Sequence, residues 1–460
     1  VVEVRHRAAS RTPGGDVVTG ERITQLAPNG DATTIAQQFT TGFLPGDGRD
    51  GFGSGANGLA PGHSRLLVDG MEELLLRHPG LPGEAPGAPL FSGFRLDPEP
   101  AASGGATLAL ASAERGGPVA VRPWLEYSGS SLGGAAIDNP ADSSASAIRA
   151  GATIGGGFRG DSGSWALRAE YRSIGTTTAA PFEGGEALVS ALGEAAGDTD
   201  IGGWTSATVR HWSGVIASGN VAWQPSANSR ITARAGMAAW NEDNPLLASS
   251  AANGAGSTLK ANDVSGMGAF ELWAEGWHSL TRIGAQSSSR EWGGGDLPYT
   301  TLVNEGLSIG DARGVPGDFT ERRLTLGETI TFPMEQFSIK IGGTASRRNL
   351  SHDWLFDGNG RYSFGSMEDF AAGIGAWTAT SSSRSEVDFG LTELAAFGQV
   401  DWHASPAFTV TLAARYEAQG LPLDVVSPNA EVARVFGALN FVVPTAKSSA
   451  IGPRGGITWD

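Results

Sequence analysis

From about Ala106 onward, apolar and polar positions alternate in segments of roughly ten residues, the period-2 pattern of β-strands. In one such segment Phe408, Val410, Leu412, Ala414 and Tyr416 share a face, and Thr409, Thr411, Arg415 and Glu417 share the other. The same division sets Trp165, Leu167, Ala169 and Tyr171 against Arg168, Glu170 and Arg172, and Val119, Val121, Leu125 and Tyr127 against Arg122 and Glu126. A fourth case is Phe337, Ile339 and Ile341 against Ser338 and Lys340. Gly, Asn, Asp, Ser and Pro separate the segments, and about 12–14 strands are expected by this pattern. Two architectures accommodate it. In a water-soluble sandwich the apolar faces pack together; in a membrane barrel they meet lipid while the polar faces line a lumen.

The connections favour the barrel. Residues 176–200, 241–262 and 356–383 are long and polar, whereas 224–229 and 404–407 are tight, and outer-membrane barrels alternate long loops with short turns in this way. Trp212, Trp223, Trp240, Trp277, Trp292, Trp402 and Trp459 lie near segment ends, which fits aromatic girdles at the two membrane interfaces. The first hundred residues differ, with a Gly-dense stretch at 46–62 and a Pro-rich run at 79–89. They read as a small, loop-rich unit. The boundary expected from this change gives residues 1–103 to that unit and 104–460 to the strand-rich part.

Composition narrows the field. Of 460 residues, 68 are Gly, which disfavours long helices, and the 40% hydrophobic fraction suffices for a folded chain. There are no cysteines, so disulfides, thiol nucleophiles, iron–sulfur sites and Cys-type zinc sites are excluded. A net charge of −16, from 48 acidic and 32 basic residues, argues against a nucleic-acid partner. No apolar run approaches the length of a transmembrane helix. The chain starts at Val1 without Met, so a processed or fragmentary chain is expected.

Three short motifs suggest chemistry and none has its required context. Gly53, Gly55 and Gly58 have dinucleotide-loop spacing without the flanking strand and helix. Gly129, Ser131 and Gly133 match a nucleophile elbow, but no helix pattern follows. Gly160, Asp161, Ser162 and Gly163 sit between two strand segments and read as a hairpin turn. The seven histidines show no ligand spacing. No catalytic residue, metal site or cofactor is expected, and the chain is not expected to be an enzyme.

Ordered matches along the chain resemble one family. Val1, Val2, Glu3 and Val4, then Asp16 to Ile23, then Leu26, Ala27, Pro28, Asn29 and Gly30, resemble the plug opening of TonB-dependent outer-membrane receptors of the Oar-like type. Leu66, Leu67, Val68, Asp69 and Gly70 are similar to a plug strand of that family. Phe337 to Gly343 resembles one of its barrel strands, and Tyr362 to Phe370 the loop segment after it. Leu391 to Trp402, Phe408 to Tyr416 and Pro453 to Asp460 follow in the family's order.

The resemblance implies an all-β membrane protein, an antiparallel transmembrane β-barrel of ~22 strands with a small α+β N-terminal plug, of which this chain carries the plug and part of the barrel. A strand edge left open in lipid is costly, so a longer protein or a completing second piece is expected. The implied function is energy-coupled uptake of an unidentified substrate in the cell outer membrane. Its partners would be outer-membrane lipid and lipopolysaccharide, a TonB-type inner-membrane energising complex, and a surface or periplasmic protein. Val1, Val2, Glu3 and Val4 would form the coupling box, since a run of β-branched residues can add a strand to a partner's sheet; they serve equally as a first plug strand. Arg122, Arg168, Arg172, Arg234, Lys340 and Arg415 would face the lumen and pair with acidic plug groups. The alternative is a plugged barrel kept for surface architecture or adhesion without active transport. A secreted hydrolase rests on the serine motifs alone.

Overall fold

The computed structural model describes short strands between residues 16 and 112, and then residues 117–129, 145–158, 162–177, 209–244, 257–294, 299–310, 316–354, 360–379, 386–420 and 448–459, with a few isolated positions between them. Seven N-terminal strands come first: β1 (Asp16–Thr19), β2 (Phe43–Leu44), β3 (Gly55–Ala56), β4 (Arg65–Val68), β5 (Met71–Glu72), β6 (Phe91–Pro98) and β7 (Ala106–Ser112). Five of them form a sheet ordered β1-β6-β7-β4-β5, and β2 pairs with β3. Strand β7 lies antiparallel to β6 and parallel to β4. Residues 106–112 alternate like barrel strands and hydrogen-bond within the small sheet. The unit expected to be α+β shows strands among its described residues.

The main body is a twelve-stranded antiparallel meander. Its strands are β8 (Ala120–Gly129), β9 (Ala145–Gly157), β10 (Gly163–Thr177), β11 (Val209–Ser226), β12 (Ser229–Asp243), β14 (Thr258–Ala274), β15 (Trp277–Gly293), β18 (Gly317–Pro333), β19 (Phe337–Trp354), β22 (Glu386–Ser405), β23 (Phe408–Gly420) and β24 (Ser448–Trp459). Each pairs with its predecessor and successor in the sheet, with β8 and β24 outermost. Five further strands, β13 (Ala252–Asn253), β16 (Tyr299–Leu302), β17 (Leu307–Gly310), β20 (Arg361–Phe364) and β21 (Gly375–Thr378), belong to long connections, as does the helix α1 (Met367–Ala371). Among the described residues no helix is long and apolar enough to cross a membrane.

Long and short connections alternate strictly. Residues 227–228, 275–276, 334–336 and 406–407 close tight turns at one end of the sheet, and 130–144, 178–208, 294–316, 355–385 and 421–447 span the other end. The sheet strands run from 10 to 20 residues, longer than the ten read from alternation. Their outer ends carry polar residues on both faces, so the pattern that marks a strand fades before the strand stops.

The distribution of polarity is inverted relative to a water-soluble protein. Val121, Leu125, Leu167, Val264, Ile283, Leu324, Leu326, Leu394 and Leu412 are all more than half exposed. On the opposite face Arg168, Glu170, Arg172, Arg290, Glu321, Arg323 and Arg348 are all at most 9% exposed. Strand alternation and register produce this division: on β10 Leu167 and Tyr171 point one way and Arg168, Glu170 and Arg172 the other. A sheet that displays Leu and Val while burying Arg and Glu is solvated by lipid on its apolar face.

The tryptophans correct the girdle expectation. Trp223, Trp402 and Trp459 are exposed on the apolar face near the short-turn end, as a girdle requires. Trp212, Trp240 and Trp292 are only 8%, 4% and 3% exposed and lie on the polar face near the long-loop end. Position near a segment end was read correctly for these three; their strand parity places them on the other face.

Leu412, four positions above the aromatic pair Phe408 and Trp459, lies in the middle of the apolar belt. Leu412→Arg is expected to cost about 2–4 kcal/mol, the penalty for a cation on the lipid face of a barrel. Urea unfolding of the chain folded into vesicles, followed by heat-modifiable gel mobility, measures this.

Candidate functional site

The polar face carries its charge in compact clusters. On β9 and β10, the Glu170 carboxylate lies against Arg168 and Arg172 of its own strand and accepts from Arg149 Nη2 at 3.3 Å. Residues two apart on a strand share a face, which is why an Arg-x-Glu-x-Arg run makes a buried triplet. The Arg168 guanidinium also sits 4.9 Å from the Trp124 ring centroid. Trp124 can lie there because its cross-strand neighbour is Gly151, where a Cβ would collide with the indole.

A second cluster bridges β18, β19 and β22. Arg348 Nε donates to Glu321 Oε1 at 2.6 Å and Arg348 Nη1 lies 3.6 Å from Glu393 Oε1. Arg323 Nη2 and Ser346 Oγ approach Glu393 Oε2 at 3.5 and 2.9 Å. Nearer the short turns, Asp401 accepts from Thr411 and Gln399.

Near the long-loop end the same face becomes aromatic. Trp212 and Trp240 have ring centroids 6.3 Å apart, and the Arg290 guanidinium lies 4.6 Å from the Trp240 centroid. Arg290 also grips Asp263 through two hydrogen bonds of 2.8 and 2.9 Å. Ala238 and Ala261 are small enough to admit the rings. Among the described residues, the buried indole nitrogens of Trp240 and Trp292 and the Nε of Arg290 have no acceptor, so this wall holds hydrogen-bond donors in reserve.

Above the sheet, three long connections fold together. Strand β16 pairs antiparallel with β17 and parallel with β20, β13 pairs parallel with β17, and β20 pairs with β21. Leu302, Leu307 and Ile309 form a core against Phe364, Met367 and Phe370. Glu305 accepts from the Met367 amide at 3.0 Å and Ser366 caps α1 by accepting from the Asp369 amide at 3.2 Å. Hydrogen bonds from its own amide and from Ser366 hold the exposed Glu368 carboxyl below the usual carboxylate range. Val303, Ile374 and Trp377 remain exposed on this loop sheet.

The residues singled out by sequence fall as follows. Arg168 and Arg172 are buried beside Glu170. Arg415 is half-buried, its Nε 2.6 Å from Glu417. Arg234 is half-buried between Asn220 and Met267, and Lys340 between Thr331 and Gln399. Arg122 is exposed on the outermost strand β8, opposite Thr153. The carboxylates seen beside Arg168, Arg172 and Arg415 belong to the sheet itself. Val1, Val2, Glu3 and Val4 lie outside the described residues, as do most of the three glycine motifs; Gly163 opens β10, and Ser162 just before it accepts at its carbonyl from the Gln224 amide at 2.7 Å. Sequence reading missed Arg290, Asp263 and the Glu321–Arg348–Glu393 cluster, whose strands carry polar residues on both faces. Among the described residues no group of His, Asp and Glu side chains is arranged to hold a metal ion.

Residues 275–459 match the family described as outer membrane beta barrel domain; the match runs from the β14–β15 turn through β24. The chain's described twelve-stranded sheet has the fold of an outer-membrane β-barrel. Its described sheet is part of a barrel, and the fold is that of TonB-dependent siderophore and copper receptors. The siderophore receptor PirA of Acinetobacter baumannii superposes with a TM-score of 0.60 at 12% identity, over 98% of this chain and 59% of that one. A mutant form of the ferric enterobactin receptor PfeA of Pseudomonas aeruginosa gives 0.58 at 14% identity, over 89% of this chain and 58% of that one. The copper transporter OprC gives 0.54 at 13% identity, over 98% and 60%. The chain therefore spans about three fifths of the length of these receptors. No curated protein matches it.

Glu170→Ala leaves buried guanidiniums facing one another and is expected to destabilise the barrel by about 3–5 kcal/mol, read from equilibrium unfolding in vesicles. Leu302→Ala should cost the loop sheet about 2–5 kcal/mol. Hydrogen exchange checks it: amides of 299–310 and 361–378 should exchange faster while those of β18 and β19 keep their protection.

Proposed function

We propose that the protein is a TonB-dependent outer-membrane receptor that takes up a substrate by energy coupling. The observation that supports this most is the polar face: a wall of neutralised charge that gives way, toward the long loops, to aromatic rings with hydrogen-bond donors to spare. In this reading the polar face lines the lumen, so Arg122, Arg168, Arg172, Arg234, Lys340 and Arg415 are lumen groups. Their main role is structural, holding neighbouring wall carboxylates and the plug. The small N-terminal sheet, through β7, is the plug. Val1, Val2, Glu3 and Val4 form the coupling segment, adding an edge strand to the periplasmic partner.

The substrate class follows from the upper wall. Buried N–H donors beside a tilted pair of indoles suit an oxygen-rich, partly planar ligand. Ferric siderophores and copper complexes, the cargo named for the receptors of like fold, are the first compounds to screen. In cells making the full chain, uptake of the bound compound should stop when the proton-motive force is dissipated. Deleting residues 1–4 should abolish uptake and leave surface binding within about twofold, since no wall contact is touched. Uptake that survives both treatments would overturn the reading.

A further inference from the structure

The apolar face carries two arginines at one depth, and their surroundings point to a ligand. Arg322 on β18 shares its face with Leu324 and Leu326, and Arg347 on β19 shares its face with Ile341; both arginines are exposed. In the register Leu324 faces Arg347 and Arg322 faces Asn349, so the two guanidiniums are diagonal neighbours. Arg322 is flanked on its other side by Ser287, and Arg347 by Thr392.

Their depth is set by chain length. Phe337 and Trp402, paired across strands and stacked, mark the short-turn edge of the apolar belt. Arg347 and Thr392 lie ten positions beyond them on β19 and β22. At about 3.4 Å per residue and a tilt near 40° that is a height of about 25 Å, the thickness of the apolar band of an outer-membrane barrel. The guanidiniums therefore stand at the headgroups of the outer leaflet, beneath the long loops.

The pair is also unneutralised and held in place. Buried arginines of the polar face, such as Arg168, Arg172, Arg290, Arg323 and Arg348, have carboxylates beside them. Among the described residues Arg322 has neither a hydrogen bond nor an ion pair, and Arg347 donates to the Thr392 hydroxyl at 2.9 Å without meeting a carboxylate. Gly390 gives Arg347 its seat, for a Cβ there would collide with the guanidinium. One carboxylate of this face, Glu328, lies six positions nearer the short turns and accepts from Ser279 and Thr281; others, Glu291, Asp318, Asp353 and Glu386, form a cross-strand row higher up, toward the loops. Lys260, another exposed cation of this face, is paired with Glu291 at 3.5 Å.

We propose that Arg322 and Arg347, with Ser287, Asn349 and Thr392, form a docking site for the phosphorylated headgroup of an outer-leaflet glycolipid. Every group in the patch donates hydrogen bonds, and two guanidiniums match phosphate oxygens in charge and fork geometry. Acyl chains of the same molecule would lie over Leu324, Leu326 and Leu394 directly below. A free phosphate ion would use the guanidiniums alone; a lipid uses both layers.

The test uses the full chain reconstituted into phosphatidylcholine vesicles carrying either lipopolysaccharide or the same lipopolysaccharide stripped of its lipid phosphates, with retained lipid measured after detergent extraction and repurification. Wild type should retain the phosphorylated form about tenfold better, as two charge-assisted contacts imply. R322A/R347A should lose that preference, R322K/R347K should keep part of it, and K260A should match wild type. Millimolar inorganic phosphate should displace little lipid. Equal retention of the two lipids by wild type, undiminished preference in R322A/R347A, or full displacement by inorganic phosphate would each overturn the proposal. Heat-modifiable mobility verifies that each variant is folded; if R322A/R347A is not, the single variants R322A and R347A carry the comparison, each with reduced preference expected.

Discussion

Backbone hydrogen bonding in a medium without water is the constraint from which the rest of this structure follows. Inside lipid an unpaired N–H or C=O costs several kcal/mol, so each strand of the sheet must pair along its membrane-embedded length. The continuous registers satisfy that demand for every strand between the outermost β8 and β24, and the register shifts in the β11–β12 and β22–β23 hairpins fall beside their short turns, at Trp223/Ser226 and His403/Ser405. There the chain leaves the belt and an irregular pair can be solvated. Within the belt a slip of one residue would turn Arg168 and Arg172 toward lipid and Leu167 and Tyr171 inward. The same pairing that satisfies the backbone therefore also decides which face every charge occupies.

Once charges are confined to one face of a low-dielectric wall, they must neutralise one another locally. The structure does this at two separations. Neighbours two apart on a strand meet directly, as in Arg168, Glu170 and Arg172, and diagonal neighbours on adjacent strands meet across the ladder, as in Glu321, Arg348 and Glu393. Such networks are weak as net stabilisers. They make the wall intolerant of an altered register, because a shifted strand would separate each guanidinium from its carboxylate.

Alternation made the sheet legible where one face is apolar. The segments around Trp165–Tyr171, Val119–Tyr127 and Phe408–Tyr416 were assigned to the correct faces from sequence, because each sets aliphatic or aromatic residues against charges. The polar–apolar contrast disappears toward the long loops. There β15 reads Gln286, Ser287, Ser288, Ser289, Arg290, and nothing local says that Arg290 points to the buried face while Ser289 does not. Trp212, Trp240 and Trp292 were misplaced for the same reason: an aromatic near a strand end suits either an interface girdle or an inner wall, and only parity carried down from the belt decides between them. Residues 106–112 show what alternation leaves open. Their alternation is genuine, but a period of two reports a half-buried strand and is silent on which sheet receives it.

The loop sheet was beyond sequence reading for a topological reason. Its parallel pairs, β16 with β20 and β13 with β17, join connections separated by whole barrel strands, and short strands of four residues or fewer carry too little pattern to announce themselves. What makes the pairing possible is the length of the strands beneath. Because β14, β15, β18, β19 and β22 run 17 to 20 residues, their outer ends extend beyond a belt that ten residues already cross. The loops therefore start from a rigid rim above the membrane, and the entropy of bringing them together is reduced because their roots are already fixed side by side. With Leu302, Leu307 and Ile309 as its core, this rim sheet can present Trp377 and Ile374 as an ordered exposed surface.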